Sequence, residues 1–336
     1  MKVKYFPCQP HCFAFGGFDL QMLNTLDAVI KAGVEASKLD IWSRDSDFDI
    51  LHLWGVGPHN YHLIDWAKKA EKKIVATVLS PYHDTFKSKL GFYYRHFFPD
   101  YVGQLIHYYK IIDKIIVLNN LQLNVLNKYY RVPASKMEII PNIVEDKYFE
   151  IPNFNFKMEY RIDNYVLCVG NICTRKNQYN LALACINLNA NLVIIGNLLD
   201  GELTYGRQLE TLIADNKNIL WIRELPKASE ELVAAYYNCS VYALPSNEET
   251  QPISALEAIA MRKPLVLIDR EYAHQSFYQG AILSKSSSVK NIETALKRAM
   301  TMSVLQVINP EILNCKEKVV GEKYKMCYVK LLQKNL

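Results

Sequence analysis

A chain of 336 residues, half of them apolar, holds enough material for two ordinary cores rather than one oversized one. Its 39 basic and 34 acidic side chains leave a formal charge of +5, too small an excess to indicate nucleic acid as a partner. The eight cysteines are scattered, several inside apolar runs such as Val166-Leu167-Cys168-Val169, which fits a reducing compartment rather than a disulfide framework.

Residues 1–6 lack the apolar core of a secretion signal, and no later run reaches the roughly 20 apolar residues that cross a bilayer. The expectation is a cytoplasmic protein, soluble or peripheral at the inner face of the membrane. After a strand over 2–6, Cys8, His11 and Cys12 form half of a metal site with no second ligand pair at zinc-like spacing, so free thiols in a loop are the better reading. Gly16-Gly17-Phe18-Asp19 precedes a helical pattern over 20–32, where backbone amides can approach a phosphate or simply make a turn. Asp45-Ser46-Asp47 has the spelling of a metal-binding motif but precedes the strand over 50–54 instead of following one. His52, His59, His62 and Asp65 straddle a strand end, a turn and a helix start, a poor frame for a metal.

A third strand over 73–79 leads into Ser80-Pro81-Tyr82-His83-Asp84, and His83 is read either as a catalytic group or as a surface loop histidine. Residues 86–110 mix aromatic and basic side chains, which suits peripheral membrane contact, an acceptor surface or an aromatic core helix with snorkelling lysines. A strand over 114–118 closes the first set. The charged, proline-punctuated stretch over 145–153 has no period and is read as a linker. The pattern then restarts with strands over 165–170, 190–196, 218–222, 241–244 and 264–268. Short apolar runs alternating with amphipathic segments predict an α/β protein with two Rossmann-like domains facing across a ligand cleft. The expected divisions are 1–145, 146–310 and a helical tail over 311–336 that packs back on the first domain.

Two constellations carry chemistry. The first, over 244–268, delivers a strand into a polar loop with Glu249 and then a helix with Glu257; ionised carboxylates accept hydrogen bonds from hydroxyl-rich ligands. The plain alternative makes Glu249 a helix N-terminal charge and Glu257 an exposed helix residue. The second is Gly170-Asn171-Ile172-Cys173-Thr174-Arg175-Lys176-Asn177-Gln178, directly after a strand, whose basic pair can neutralise a diphosphate or lie solvated.

The Glu249-to-Glu257 segment, with Pro252-Ile253-Ser254 starting three residues after the first glutamate, resembles the signature of the family-four group of retaining glycosyltransferases of the GT-B fold. Thr250 and Arg262 stand where that family commonly has glycine, and Lys176-Asn177 resembles the end of its basic segment, without the early arginine. The stretches over 113–120 and 130–142 also resemble the family's last N-domain strand and hinge entry. The resemblance implies donor-sugar contact for Glu249, ribose contact for Glu257 and diphosphate contact for Arg175 and Lys176. It further implies donor-binding roles for Gly16, Gly17, Gly170, Thr250, Gln251, Pro252, Ile253 and Ser254, with Glu224 and Leu225 bordering the nucleobase and His83 at the donor sugar.

The activity implied by the resemblance is transfer of a hexose-like sugar from a nucleoside diphosphate sugar to a glycan or lipid-linked acceptor hydroxyl, in polysaccharide or glycan biosynthesis. No metal and no cofactor are expected, because the basic pair supplies the compensating charge. Two alternatives stay open: a non-catalytic sugar-nucleotide-binding partner subunit, and an epimerase or phosphorylase of related architecture.

Overall fold

The computed structural model describes residues 1–13, 15–79, 102–302 and 309–333. The chain divides into two compact units: the first combines Met1–Ile143 with the C-terminal stretch from Asn314, and the second is Val144–Leu313. Each contains one six-stranded sheet in which all pairings are parallel.

In the first unit the strands are β1 (Lys2–Phe6), β2 (Glu35–Lys38), β3 (Ile50–Trp54), β4 (Lys73–Thr77), β5 (Lys114–Val117) and β6 (Met137–Ile139), in the order β2-β1-β3-β4-β5-β6. Its helices are α1 (Gly17–Lys31), α2 (Tyr61–Lys69), α3 (Val102–Ile111), α4 (Asn120–Tyr130) and α11 (Glu317–Gln333). The period of two along β3 divides its side chains between two cores. Leu51 and Leu53 join Ile64, Leu105 and Leu126 under α2, α3 and α4, whereas Ile50 and Trp54 join Met22, Val320 and Tyr324 under α1 and α11.

The second core contains a polar knot. His52, fully buried, places Nδ1 2.6 Å from the Tyr328 hydroxyl and Nε2 2.9 Å from Thr77 Oγ1, and Tyr328 reaches Tyr5 Oη at 2.7 Å. Burial drives His52 down to about 3, so it is neutral and structural. Asp47 pairs with Lys2 at the chain start and Asp45 caps the Asp47 amide, so the Asp-Ser-Asp motif is an ordinary loop.

The second unit runs β7 (Tyr165–Val169), α6 (Gln178–Asn187), β8 (Asn191–Ile195), α7 (Leu203–Ala214), β9 (Ile219–Ile222), α8 (Glu230–Asn238), β10 (Val241–Leu244), α9 (Ile253–Ala260), β11 (Leu265–Ile268), β12 (Ile282–Ser284) and α10 (Val289–Met300), preceded by the short α5 (Phe156–Tyr160). Its sheet order is β12-β11-β10-β7-β8-β9. The stretch read as a linker is built into this unit: Tyr148 is buried, and Asn153 N donates to Glu230 at 3.1 Å. Three strands escape the sequence reading, β2, β6 and β12, and all three are edge strands of three or four residues.

Among the described residues no helix is long and apolar enough to cross a membrane. His83 and residues 86–101 lie outside the described residues. Within 102–110, Tyr109 is buried and Tyr108 Oη donates to Asp65 at 3.0 Å, while Gln104, His107 and Lys110 are exposed.

Candidate functional site

In the second sheet the chain proceeds from β7 outward through β8 to β9, while β10 lies on the other side of β7. The connections therefore leave in opposite directions between β7 and β10, which opens a crevice at the carboxyl ends of those two strands. Both constellations marked by the sequence empty into it. The loop after β7 brings Arg175 and Lys176, and the loop after β10 brings Ser246 to Gln251.

Backbone chemistry fixes the first loop. Gly170 sits at φ +142° and Gly196, after β8, at φ +151°, and a Cβ on Gly196 would lie 2.2 Å from the Gly170 carbonyl oxygen. Only glycine allows this approach. A Cβ on Gly170 would in turn stand 3.1 Å from Lys176 Nζ, so the lysine folds back over the turn.

Lys176 Nζ and Arg175 Nη1 each approach Glu249 Oε1 at 3.0 Å. Arg175 also donates to the Glu248 carbonyl and lies 3.4 Å from the fully buried Ser246 Oγ. Burial pushes the Glu249 carboxyl up, but the two cations outweigh it and hold it below its usual range. Three ionised groups with one net positive charge thus line the crevice, Lys176 and Glu249 13% and 11% exposed and Arg175 45%. The loop position also answers the plain alternative: α9 starts at Ile253 behind Pro252, so Glu249 serves its basic partners and not the helix end.

Glu257 faces a different environment from the exposed helix position of that alternative. Tyr236 Oη donates to its Oε2 at 2.7 Å, and the buried Tyr148 hydroxyl also faces it. Burial raises its carboxyl to about 7, against the opposing pull of both tyrosines and Lys227. Tyr236 stacks on Tyr242 with centroids 5.6 Å apart. Tyr242 responds to both Glu249 and Glu257 and bonds Ser254. Neither Tyr148 nor Tyr236 carries a motif. Tyr148 sits in the stretch without period, and only a buried aromatic beside α9 would have betrayed it.

The remaining predicted residues divide. Thr250, Gln251, Pro252, Ile253 and Ser254 run from the polar loop into the first turn of α9, whose leading amides have no partner within the helix. Glu224 is exposed and Leu225 half-buried in the loop after β9, whose Lys227 pairs with Glu145 at 2.5 Å. Gly16 and Gly17 belong to the first unit, at the start of α1, where Gly16 N donates to the buried Asp19 Oδ2 at 2.9 Å. Arg262, standing for the family's glycine, adopts the left-handed position itself at φ 59° just after α9. Gln275, buried behind the Glu249 loop, is the residue that sequence reasoning missed most completely, since no motif marks it.

Two parallel six-stranded α/β sheets with a charged switch-point loop define the class: a protein of the GT-B fold. The glycosyl transferases group 1 family matches residues 153–309, and glycosyltransferase family 4 matches residues 24–148. The chain belongs to this group 1/family 4 of glycosyltransferases. No curated protein matches it by sequence.

Solved structures share the fold at low identity. Anabaena Alr3699/HepE in complex with UDP-glucose superposes with a TM-score of 0.73 at 12% identity, covering 98% of this chain and 100% of that one. Sucrose-phosphate synthase from Thermosynechococcus elongatus gives 0.73 at 13% identity over 99% of each chain. A glycosyltransferase from Rickettsia africae gives 0.70 at 12% identity over 98% of each.

Proposed function

We propose that the protein is a retaining, metal-independent hexosyltransferase that uses a nucleoside diphosphate sugar, and that Arg175, Lys176, Glu249 and Glu257 form its donor site. The observation that carries this reading is the convergence of Lys176 Nζ and Arg175 Nη1 on Glu249 Oε1, 3.0 Å each, at the switch point of the second sheet. Two cations there suit a diphosphate, and the Glu249 carboxylate both holds them and offers an acceptor to sugar hydroxyls. Glu257, with Oε2 already taken by Tyr236, retains acceptor capacity for a ribose diol.

In the reaction the bond from the anomeric carbon to the leaving phosphate oxygen breaks and a bond to the acceptor oxygen forms. The acceptor proton passes to the departing phosphate on the same face of the sugar, which retains configuration. Lys176 and Arg175 stabilise the charge that grows on the leaving group. Gly16 and Gly17 are assigned to the phosphate or acceptor end of this chemistry. Their backbone and surroundings do not demand glycine for the fold, since Gly16 is extended and a Cβ on Gly17 meets nothing within 4 Å. The acceptor is a glycan or lipid-linked hydroxyl. The pathway is surface polysaccharide or glycan synthesis at the inner face of the membrane.

Because Anabaena Alr3699/HepE was solved with UDP-glucose, UDP and UDP-hexoses are the first ligands to test, followed by GDP and ADP conjugates. The test is calorimetric binding with and without chelator, together with product analysis against a panel of glycoside acceptors. Chelator-insensitive binding and a glycosylated product of unchanged anomeric configuration are expected. Free monosaccharide or an epimerised nucleotide sugar as the only product would refute transfer.

A further inference from the structure

We propose that Gln275 is a positioning residue that sets Glu249 for the sugar half of the donor, so that the protein distinguishes a nucleoside diphosphate sugar from the bare nucleoside diphosphate. This rests on the donor-site reading above and deepens it.

Residues 245–252 adopt no regular secondary structure, so side-chain contacts must fix the conformation that aims Glu249. Arg175 braces one side of this loop through the Glu248 carbonyl. Gln275 braces the other. Its side chain is buried within the turn between β11 and β12, and Nε2 donates to the Thr250 carbonyl at 2.7 Å and to the Tyr272 carbonyl at 2.8 Å. Its Oε1 accepts from Gln251 Nε2 at 3.2 Å. Tyr272 Oη then donates to the Ser246 carbonyl at 3.2 Å, so a single turn grips the loop on both sides of Glu249.

The division of labour follows from charge. The charged contacts of the Glu249 carboxylate are to Lys176 and Arg175, the groups that an incoming diphosphate attracts, and Ser246 adds a neutral one from within the loop. Once phosphate oxygens compete for those cations, the direction of Glu249 depends on the neutral braces of its loop, at Thr250 through Gln275 and at Ser246 through Tyr272. A carboxamide meets this demand with two N–H donors and one acceptor. A carboxylate of the same shape has no donor and would face two carbonyl oxygens.

The experiment uses the full chain as wild type, Gln275→Glu, Gln275→Ala and Tyr272→Phe. Each is titrated calorimetrically with UDP, GDP, ADP and their glucose and mannose conjugates, and transfer rates are measured with the pair that binds. The expected result is a nucleoside diphosphate affinity within about twofold of wild type, while the conjugate weakens about tenfold, the loss of one hydrogen bond to the sugar. Gln275→Glu should be worse than Gln275→Ala. Tyr272→Phe, which removes the bond to Ser246 together with a backbone contact at Ile268 and leaves Gln275 in place, should show the same split more weakly and serves if the Gln275 variants fail to fold. Equal weakening of nucleotide and conjugate, or no weakening of either, overturns the proposal. A wild-type protein that binds none of these conjugates sinks the donor-site reading first, a different outcome from the loss of the split.

Discussion

Removing the Lys176 ammonium separates a ligand-binding trio from a fold-stabilising ion pair. The side chain is 13% exposed with Nζ 3.0 Å from Glu249 Oε1, and its loss takes Arg175, Lys176 and Glu249 from one net positive charge to zero. A charge-assisted hydrogen bond to phosphate contributes about 1.5–3 kcal/mol. Lys176→Ala should therefore weaken nucleoside diphosphate binding by roughly ten- to a hundredfold. Where the ammonium also meets charge growing on the leaving group, kcat should fall by about a hundred- to a thousandfold. The fold should lose only about 1 kcal/mol, because Arg175 still pairs with Glu249 at 3.0 Å. The double variant Lys176→Ala/Glu249→Gln sharpens the test. It returns the site to one net positive charge but takes from Arg175 its carboxylate, so stability should not recover, and affinity and transfer should stay low because the ammonium itself is missing. Calorimetry with UDP and UDP-glucose, or the GDP or ADP pair that binds, reads the affinity, and thermal unfolding reads the stability. Wild-type affinity and rate in Lys176→Ala, or recovery of binding in the double variant on net charge alone, would refute the reasoning.

Glu257 gives a pH test: its carboxyl rises from an ordinary 4.5 to about 7 in the fold, so its contribution to stability is present below the lower value and is lost as pH rises through the upper one. Melting temperature followed from about pH 4 to 8 should fall more steeply for wild type than for Glu257→Gln, and nucleotide affinity should improve over the same window; parallel melting curves would count against the buried carboxyl. His52 works in the opposite sense, since a value lowered from 6.5 to about 3 stabilises above the former and loses that contribution as pH falls toward the latter. Tyr328→Phe, which removes the hydroxyl 2.6 Å from His52 Nδ1, should cost about 1–3 kcal/mol by urea unfolding at about pH 7. Arg262→Gly relieves a left-handed residue at φ 59° and should raise stability by about 0.5–1 kcal/mol, read as an upward shift in melting temperature; an unchanged or lower value would show that the Arg262 side chain stabilises more than its backbone costs.

The residues that the sequence made legible are those whose position depends on periodicity. Central strands such as β3 and β10 are buried on both faces and read as nearly continuous apolar runs, and β1 alternates apolar with polar, so β1, β3 and β10 fall on their expected bounds. Edge strands have no such pressure. β2 reads Glu-Ala-Ser-Lys and is mostly exposed, and its backbone pairing with β1 leaves no mark on side-chain type. The same limit applies at the site. Arg175, Lys176 and Glu249 could each be picked out as polar residues at strand ends, yet their meeting spans 74 residues and depends on β7 and β10 being neighbours.

Glu257 was visible as a residue but not as a buried one, because its environment is made by Tyr236 and by Tyr148, which is buried in a stretch that looks like linker. Gln275 was invisible for a deeper reason. Its bonds go to backbone carbonyls at Thr250 and Tyr272, and a carbonyl is the same whatever the residue. His52 shows the reverse case: a spacing with metal-ligand residue types but a poor frame for a metal, where the histidine's partner is Tyr328, 276 residues away on the C-terminal helix. Sheet order converts loops that look unrelated along the chain into a shared crevice. Motif reading therefore finds the charged groups that enter such a crevice and misses the neutral groups that aim them.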